Sequence, residues 1–88
     1  MIKEEFAVTN RLGLHARPAA LLVQTASKFK AKIDIRKEEQ VVNGKSVMGL
    51  LMLAAENGSR LVISCDGEDE KEAMNSIRSL FANKFEED

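Results

Sequence analysis

The spacing of hydrophobic and polar residues along this chain changes between a helical period and an alternating period, which predicts both helices and strands. Helical spacing begins at Ala16, where apolar residues follow at intervals of three and four, and it returns after residue 68. Residues 31–37 and 60–65 alternate instead, with apolar side chains on one face and polar ones on the other. The predicted strands cover residues 4–9, 31–37, 40–42 and 60–65, and the predicted helices begin at 16, 47 and 68, the second ending at 55.

This order, βαββαβα, favours a sheet that buries only one of its faces. Strands with one-sided alternation do not suit a parallel sheet that is covered on both faces. Helices lying on one face of an antiparallel sheet satisfy every pattern. The sequence therefore predicts an α+β fold, an open-faced β-sandwich in which three helices cover one face of a four-stranded antiparallel sheet, and a single domain over residues 1–88.

The composition indicates a small domain without a strong overall electrostatic field. Hydrophobic residues make up 44% of the 88, enough for one modest core, and 13 basic against 14 acidic residues give a formal net charge of −1. This balance and the absence of Trp and Tyr argue against a nucleic-acid partner. A single cysteine, no membrane-length apolar run and no signal-peptide pattern lead us to expect a cytoplasmic protein that does not insert into membranes. A monomer is the default expectation.

The candidate chemistry centres on His15, the only histidine, in the run Gly13-Leu14-His15-Ala16-Arg17-Pro18. Proline is well tolerated in the first turn of a helix, so this run places His15 near the helix N-cap and Arg17 in the first turn. Free N–H groups and the helix dipole favour an anion there, and Arg17 adds a guanidinium. These residues indicate a site for a phosphoryl group carried on the imidazole. They leave open which ring nitrogen is the nucleophile, and a histidine that merely caps the helix is the alternative.

Other chemistries fit the sequence less well. One histidine and one distant cysteine fall short of a zinc ligand set, and no base-orienting residues accompany His15 for hydrolysis. The tripeptide 44–46 invites comparison with a phosphate-binding P-loop, but Glu39 stands where that motif needs a glycine. We therefore expect neither a metal nor a cofactor.

Ser46 opens a second segment of interest. It is a natural N-cap for the predicted helix over 47–55, whose apolar residues lie around most of its circumference. Leu50 and Leu53 are expected in the core, whereas an exposed apolar surface that includes Met is typical of a protein-binding patch. A phosphate on Ser46 would place roughly two negative charges beside this patch and could switch partner binding.

Together the His15 run, the segment Lys45-Ser46-Val47-Met48-Gly49 and the element order resemble the HPr family, the histidine-containing phosphocarrier proteins of the bacterial phosphoenolpyruvate-dependent phosphotransferase system. The resemblance implies that His15 accepts a phosphoryl group on Nδ1 from phosphorylated enzyme I and donates it to a IIA protein. Arg17 and the first-turn amides would steady that group. The chain would then be a covalent intermediate in phosphoryl transfer and not itself an enzyme.

The resemblance also gives the Ser46 segment a role. Ser46 matches the serine that an HPr kinase/phosphorylase modifies in many bacteria, and the positions that match partner-docking residues are Ala20, Val47, Met48 and Leu51. Residues 49–55 are similar to the nitrogen-related branch, so sugar uptake and regulation both stay open. The alternative function is a regulatory binding module, of the nitrogen-related or carbon-control type, that is switched at Ser46. The acidic tail over residues 86–88 is expected to fray.

Overall fold

The structure is a computed structural model that describes residues 1–87, and its elements follow the predicted βαββαβα order. The elements are β1 (Ile2–Ala7), α1 (Ala16–Ala26), β2 (Lys32–Lys37), β3 (Gln40–Asn43), α2 (Val47–Met52), β4 (Arg60–Asp66) and α3 (Glu70–Ala82). A short 3₁₀ turn over Lys84–Glu86 follows α3. Within the described residues, no helix has the length and apolar character needed to cross a membrane.

The four strands form one antiparallel sheet in the order β1-β4-β2-β3. Its register places apolar residues opposite one another, with Ile35 of β2 facing Ile63 of β4 and Phe6 of β1 facing Leu61 of β4. Such cross-strand pairs share one face of the sheet and stabilise it by burial. The predicted α+β open-faced sandwich is therefore confirmed.

The hydrophobic core lies between the apolar face of this sheet and the three helices. Alternation in β2 buries Ile33 and Ile35 and leaves Lys32 and Arg36 on the open face. The helical residues that are buried against this face include Ala19, Leu22, Ala26, Leu50, Ala73, Met74, Ile77 and Phe81. The two periods in the sequence thus correctly indicated which side of β2, β4, α1 and α3 faces inward.

The predicted bounds of β1 are wrong by two residues at each end. The strand runs from Ile2, which pairs with Cys65, to Ala7, which pairs with Arg60. Val8 is buried, but its backbone bonds to Gly58 and Ser59 in the loop before β4 and lies outside the strand. The extent of β1 is set by the length of its partner strand, which local residues do not encode.

The second helix is shorter than predicted, because α2 ends at Met52 instead of residue 55. Ala54 has a left-handed backbone with φ of 51°, which stops the helix and allows Leu53 and Ala55 both to be buried. Lys37 Nζ donates to the carbonyl oxygens of Leu53 and Ala54, at 3.1 and 3.2 Å. Leu50 and Leu53 are in the core, as expected, and Met52 lies on the surface.

The expectation that the C-terminal tail frays is wrong for Glu86 and Glu87. After α3 the chain turns back through three left-handed residues, with φ of 51° to 60° over Lys84–Glu86. Such backbone costs roughly 1–2 kcal/mol per residue. Phe85 at its centre is only 1% exposed and meets the Phe81 ring edge-on at 4.9 Å, which offsets that cost. Asp88, the last predicted tail residue, lies outside the described residues.

Replacing Phe85 by Ala should lower the free energy of unfolding by about 3–5 kcal/mol, because it empties a buried aromatic site. Urea unfolding measures this change from the shift of the midpoint concentration, provided that the m-value of the transition stays the same. Lys84→Ala is the control, since this neighbour is exposed and shares the left-handed backbone, and it should alter stability by less than about 0.5 kcal/mol. Equal effects in the two variants would contradict the packing of the tail.

Candidate functional site

His15 stands at the N-cap of α1, where the sequence predicted it. Its backbone is extended, its carbonyl oxygen accepts the first intrahelical bond from Ala19 N at 3.0 Å, and its ring makes no capping bond. The ring is partly exposed. The backbone of His15 therefore caps the helix, while its imidazole is left for other contacts.

The loop before His15 is fixed by a close approach of two backbone segments. Leu14 N donates to Ala55 O at 2.7 Å, just beyond the end of α2. Gly13 has φ of 73°, and a Cβ there would lie 2.7 Å from Ala55 O and from the Cα of Glu56. Only glycine fits this left-handed conformation at this distance. The contact sets the position of His15 relative to α2.

Asn10 connects the same loop to the C-terminal tail by side-chain hydrogen bonds. It is fully buried, and its Nδ2 donates to Gly13 O at 2.6 Å and to Glu87 Oε1 at 3.0 Å. Its Oδ1 has no hydrogen-bond partner among residues 1–87. The sequence places this residue in the segment between the first predicted strand and the first predicted helix, with no sign of a role. A buried amide beside the site could not be recognised, because its partner Glu87 is distant in sequence.

The carboxylate of Glu87 lies at the centre of the site. Its Oε2 is 3.1 Å from Nε2 of His15 and 3.4 Å from Nη1 of Arg17. Burial alone would raise the pKa of Glu87, but hydrogen bonds from Asn10, His15 and Arg17 hold this pKa below its ordinary value. Glu87 is therefore ionised at neutral pH. Sequence reasoning missed it because the two residues that form the contact are 72 positions apart.

Arg17 reaches the site from the first turn of α1. Its Nη1 also donates to Phe85 O at 3.0 Å, and Glu86 lies 4.0 Å from Nη2. The structure thus brings the predicted pair, His15 and Arg17, together around a carboxylate that the sequence did not indicate. About half of the Arg17 side chain is exposed to solvent.

Ser46 is the N-cap of α2, and its Oγ accepts a hydrogen bond from Gly49 N at 3.0 Å. Beyond it lie exposed apolar residues, here called the apolar rim: Leu12, Met48, Leu51 and Met52. Met48 is 69% exposed. Of the other predicted docking residues, Ala20 and Val47 are half-buried.

A shallow depression of about 260 Å³ connects the apolar rim with the histidine. Leu12, His15 and Leu51 contribute to its walls. The two segments singled out in the sequence therefore share one surface. A partner that contacts the ring would also meet the end of α2.

The remaining candidate for covalent chemistry, Cys65, faces the core. Burial raises the pKa of its thiol to about 11, so it is a thiol and not a thiolate at neutral pH. Across residues 1–87, histidine, cysteine and acidic side chains form no group of three or more that could hold a metal ion.

The chain is similar to known phosphocarrier proteins over its whole length. Residues 2–83 match the family model described as PTS HPr component phosphorylation site. The chain is 48% identical over 88 residues to phosphocarrier protein HPr of Xylella fastidiosa, covering 100% of this chain and 99% of that protein.

Two solved structures from Thermoanaerobacter tengcongensis are also similar. One is the crystal structure of HPr-C-His, with a TM-score of 0.96, 43% identity and coverage of 100% of this chain and 99% of that chain. The other is an HPr dimer, with a TM-score of 0.78, 44% identity and coverage of 97% and 98%. The likeness therefore extends well beyond the histidine motif.

Gly13→Ala should destabilise the protein more than Gly58→Ala does, as measured by urea unfolding. Both residues have positive φ, which costs alanine about 1–2 kcal/mol at either position. A Cβ on Gly58 would meet nothing within 4 Å, whereas one on Gly13 would overlap the backbone at 55–56, which adds about 1–3 kcal/mol. Equal losses would show that the loop does not depend on the close approach.

Proposed function

Because this chain belongs to the HPr family of phosphocarrier proteins of the phosphotransferase system, we propose that His15 is the residue on which it carries a phosphoryl group. The observation that supports this most directly is the partly exposed imidazole at the N-cap of α1, which shares the Glu87 carboxylate with the Arg17 guanidinium. First-turn N–H groups and the helix dipole favour an anion at this position. The residues at this site therefore suit a charge that arrives on the ring.

In the proposed reaction, a ring nitrogen of His15 attacks the phosphorus of phosphorylated enzyme I. One P–N bond forms and another breaks, and the electron pair of the broken bond returns to the donor nitrogen. The same exchange then passes the group to a histidine of a IIA protein. Similar bonds are made and broken, so transfer in either direction is energetically accessible. The chain acts as a carrier and not as an enzyme, since its own phosphorylated form is the product.

Arg17 would bind the phosphoryl oxygens through its planar donor pair. It lies within reach because Glu87 and the carbonyl oxygen of Phe85 already hold it beside the ring. The amides of Ala16 and Arg17 would add donors from the first helical turn. The anion would thus meet a cation and backbone N–H groups at the start of α1.

The surface around the ring is proposed to bind enzyme I and IIA proteins. Met48 and Leu51 belong to the exposed apolar rim, and Ala20 and Val47 are half-buried. Exposed apolar residues that include Met suit a surface that several partners use in turn. Neither the final sugar nor a regulated target needs to touch this surface, because the carrier contacts only the next protein in the relay.

We further infer that residues 1–88 act as one cytoplasmic domain and as a monomer. The family model and the relatives cover nearly all of the chain. Its edge strand β1 carries the charged residues Lys3, Glu4 and Glu5, which disfavour edge-to-edge pairing with a second copy.

A second function, regulation through Ser46, is supported by the position of this residue. Its hydroxyl caps α2 directly beside the apolar rim. Phosphorylation by an HPr kinase/phosphorylase would keep an acceptor at the cap and add negative charge where partners dock. The same surface could then be used by a carrier or by a regulatory binding module.

The carrier function is tested by incubating the protein with phosphoenolpyruvate and enzyme I and measuring its intact mass. The wild-type protein should gain one phosphoryl group that mild acid removes, as expected for a P–N bond. His15→Ala should gain none, because the acceptor nitrogen is absent, while Arg11→Ala serves as a control for a nearby exposed residue and should behave as wild type. An acid-stable product, or labelling of His15→Ala, would overturn the assignment.

The Ser46 proposal is tested by comparing Ser46→Asp with Ser46→Asn. Both side chains cap helices well, so the two variants should have the same stability within about 0.5 kcal/mol. The aspartate should weaken binding to enzyme I by about tenfold, through its charge, as titration calorimetry would measure. If the neutral asparagine weakens binding as much, the effect comes from lost contacts and the proposed electrostatic switch is wrong.

A further inference from the structure

The fold alone does not account for the exposure of Leu12. At 71%, its side chain is the most exposed large apolar one in the described part of the chain. It lies in the loop between β1 and α1, where Gly13 N donates to Asn10 O at 3.1 Å, so residues 10–13 form a β-turn with Leu12 at its tip. Such turns favour glycine, proline, asparagine, aspartate and serine. Neither the turn nor the core therefore requires a leucine here.

Leu12 forms part of the wall of the depression beside the imidazole. The depression has a volume of about 260 Å³, and the His15 ring itself contributes to its lining. Apart from His15 and Glu56, every residue that lines it is apolar: Leu12, Leu14, Leu51, Ala54 and Ala55. A single exposed apolar residue needs no explanation, but an apolar depression that includes the proposed acceptor ring is a candidate contact for another protein.

The backbone on both sides of Leu12 is anchored. On one side, the turn closes on Asn10 by its hydrogen bond. On the other side, the Leu14 side chain is only 4% exposed, and its N–H donates to Ala55 O at 2.7 Å. The loop therefore presents Leu12 at a fixed place relative to the ring. Such preorganisation lowers the entropic cost when a partner binds.

Phosphoryl transfer to His15 requires the donor protein to cover this depression. A ring nitrogen must come within bonding distance of the phosphorus, and the donor's own histidine lies just beyond that atom. Because the ring is part of the lining, a donor this close also faces Leu12 and Leu51. Water trapped against apolar walls finds few hydrogen-bond partners, and an unfilled gap loses dispersion contacts. The contact is therefore most favourable when side-chain atoms of the donor fill the space.

We propose that Leu12 is a specificity-determining residue for phosphoryl uptake, against which enzyme I places an apolar side chain that lies beside its phosphohistidine. This inference rests on the proposed function, in which enzyme I is the donor. It extends the docking surface from α2, which carries Met48 and Leu51, to the loop that precedes α1. Leu12 touches neither the phosphorus nor the reacting nitrogens, and it acts through the affinity of the two proteins.

The charge around the depression indicates which donors it disfavours. Among the described residues that line it, Glu56 is the one that carries a carboxylate, and it is exposed. An acidic side chain of a donor would lose water against Leu12 and would also face this carboxylate, and both effects oppose binding. An apolar side chain avoids the repulsion and gains from burial. The contact is therefore expected to be insensitive to salt, unlike a contact between charges.

The test compares Leu12→Ser with Val41→Ser as the matched control. Val41 is also an exposed apolar residue, at 56%, but it lies on the open face of the sheet, opposite Arg36 in the register of β2 and β3. Leu12→Met is the rescue variant, because methionine retains a flexible apolar side chain of similar volume. Urea unfolding establishes that each variant is folded.

The readout is the initial rate of phosphoryl uptake from phosphoenolpyruvate and enzyme I, measured over a range of concentrations of this protein. Leu12→Ser should raise KM by about tenfold, the factor expected when the burial of most of one leucine side chain is lost, and it should leave kcat unchanged. The rise should be the same at low and high salt. Leu12→Met and Val41→Ser should both match wild type.

The outcomes separate this inference from the function on which it depends. If wild type is phosphorylated and Leu12→Ser keeps the wild-type KM, the role of Leu12 is wrong and the carrier function stands. A lower kcat at unchanged KM would also overturn it, because the effect would then lie in transfer and not in docking. A rise in KM that high salt abolishes would assign the contact to charges, against the proposal. If wild type takes up no phosphoryl group, the carrier function itself fails, and the role of Leu12 fails with it.

Discussion

The arrangement of this molecule depends on a sheet that has only one apolar face. Ile33, Ile35 and Ile63 share that face, and charged residues such as Lys32 and Arg36 occupy the other. Every helix must bury its apolar stripe on the same side, because no second apolar surface exists. Three helices on one face of a four-stranded sheet are close neighbours, and α1 contacts both α2 and α3. Because the three helices lie side by side, their ends are close to one another, and the candidate site lies at these ends.

The functional surface forms where these helices end. The N-terminus of α1 supplies His15 and Arg17, the end of α2 supplies the apolar rim, and the turn after α3 supplies Glu87. Each side chain alone is ordinary on a protein surface. Their combination places an imidazole at a helix N-terminus, with a guanidinium and a carboxylate nearby and exposed apolar residues next to it. In the proposed function, the ring is presented to another protein and is not enclosed around a small substrate.

The tail illustrates how packing energy can maintain a site that local preferences oppose. Three consecutive left-handed residues are unfavourable for a chain without glycine there. Burial of Phe85 against Phe81, which in turn stacks on Phe6 at 4.6 Å, supplies the stabilisation that retains this turn. Core packing at the N-terminal strand is thereby linked to the position of the Glu87 carboxylate. The site is thus coupled to the core through one aromatic cluster.

The sequence by itself determined the order of the elements, the buried side of β2, β4, α1 and α3, and the helix N-caps at His15 and Ser46. These features depend on residues within a few positions of one another, through periodicity, proline in a first turn and capping side chains. Tertiary structure alone decided the extent of β1, the early end of α2 at the left-handed Ala54, and the contact of Glu87 with His15. Each of these features depends on a partner that is distant in the sequence. The residues of the acidic tail do not by themselves indicate that one of them contacts the histidine.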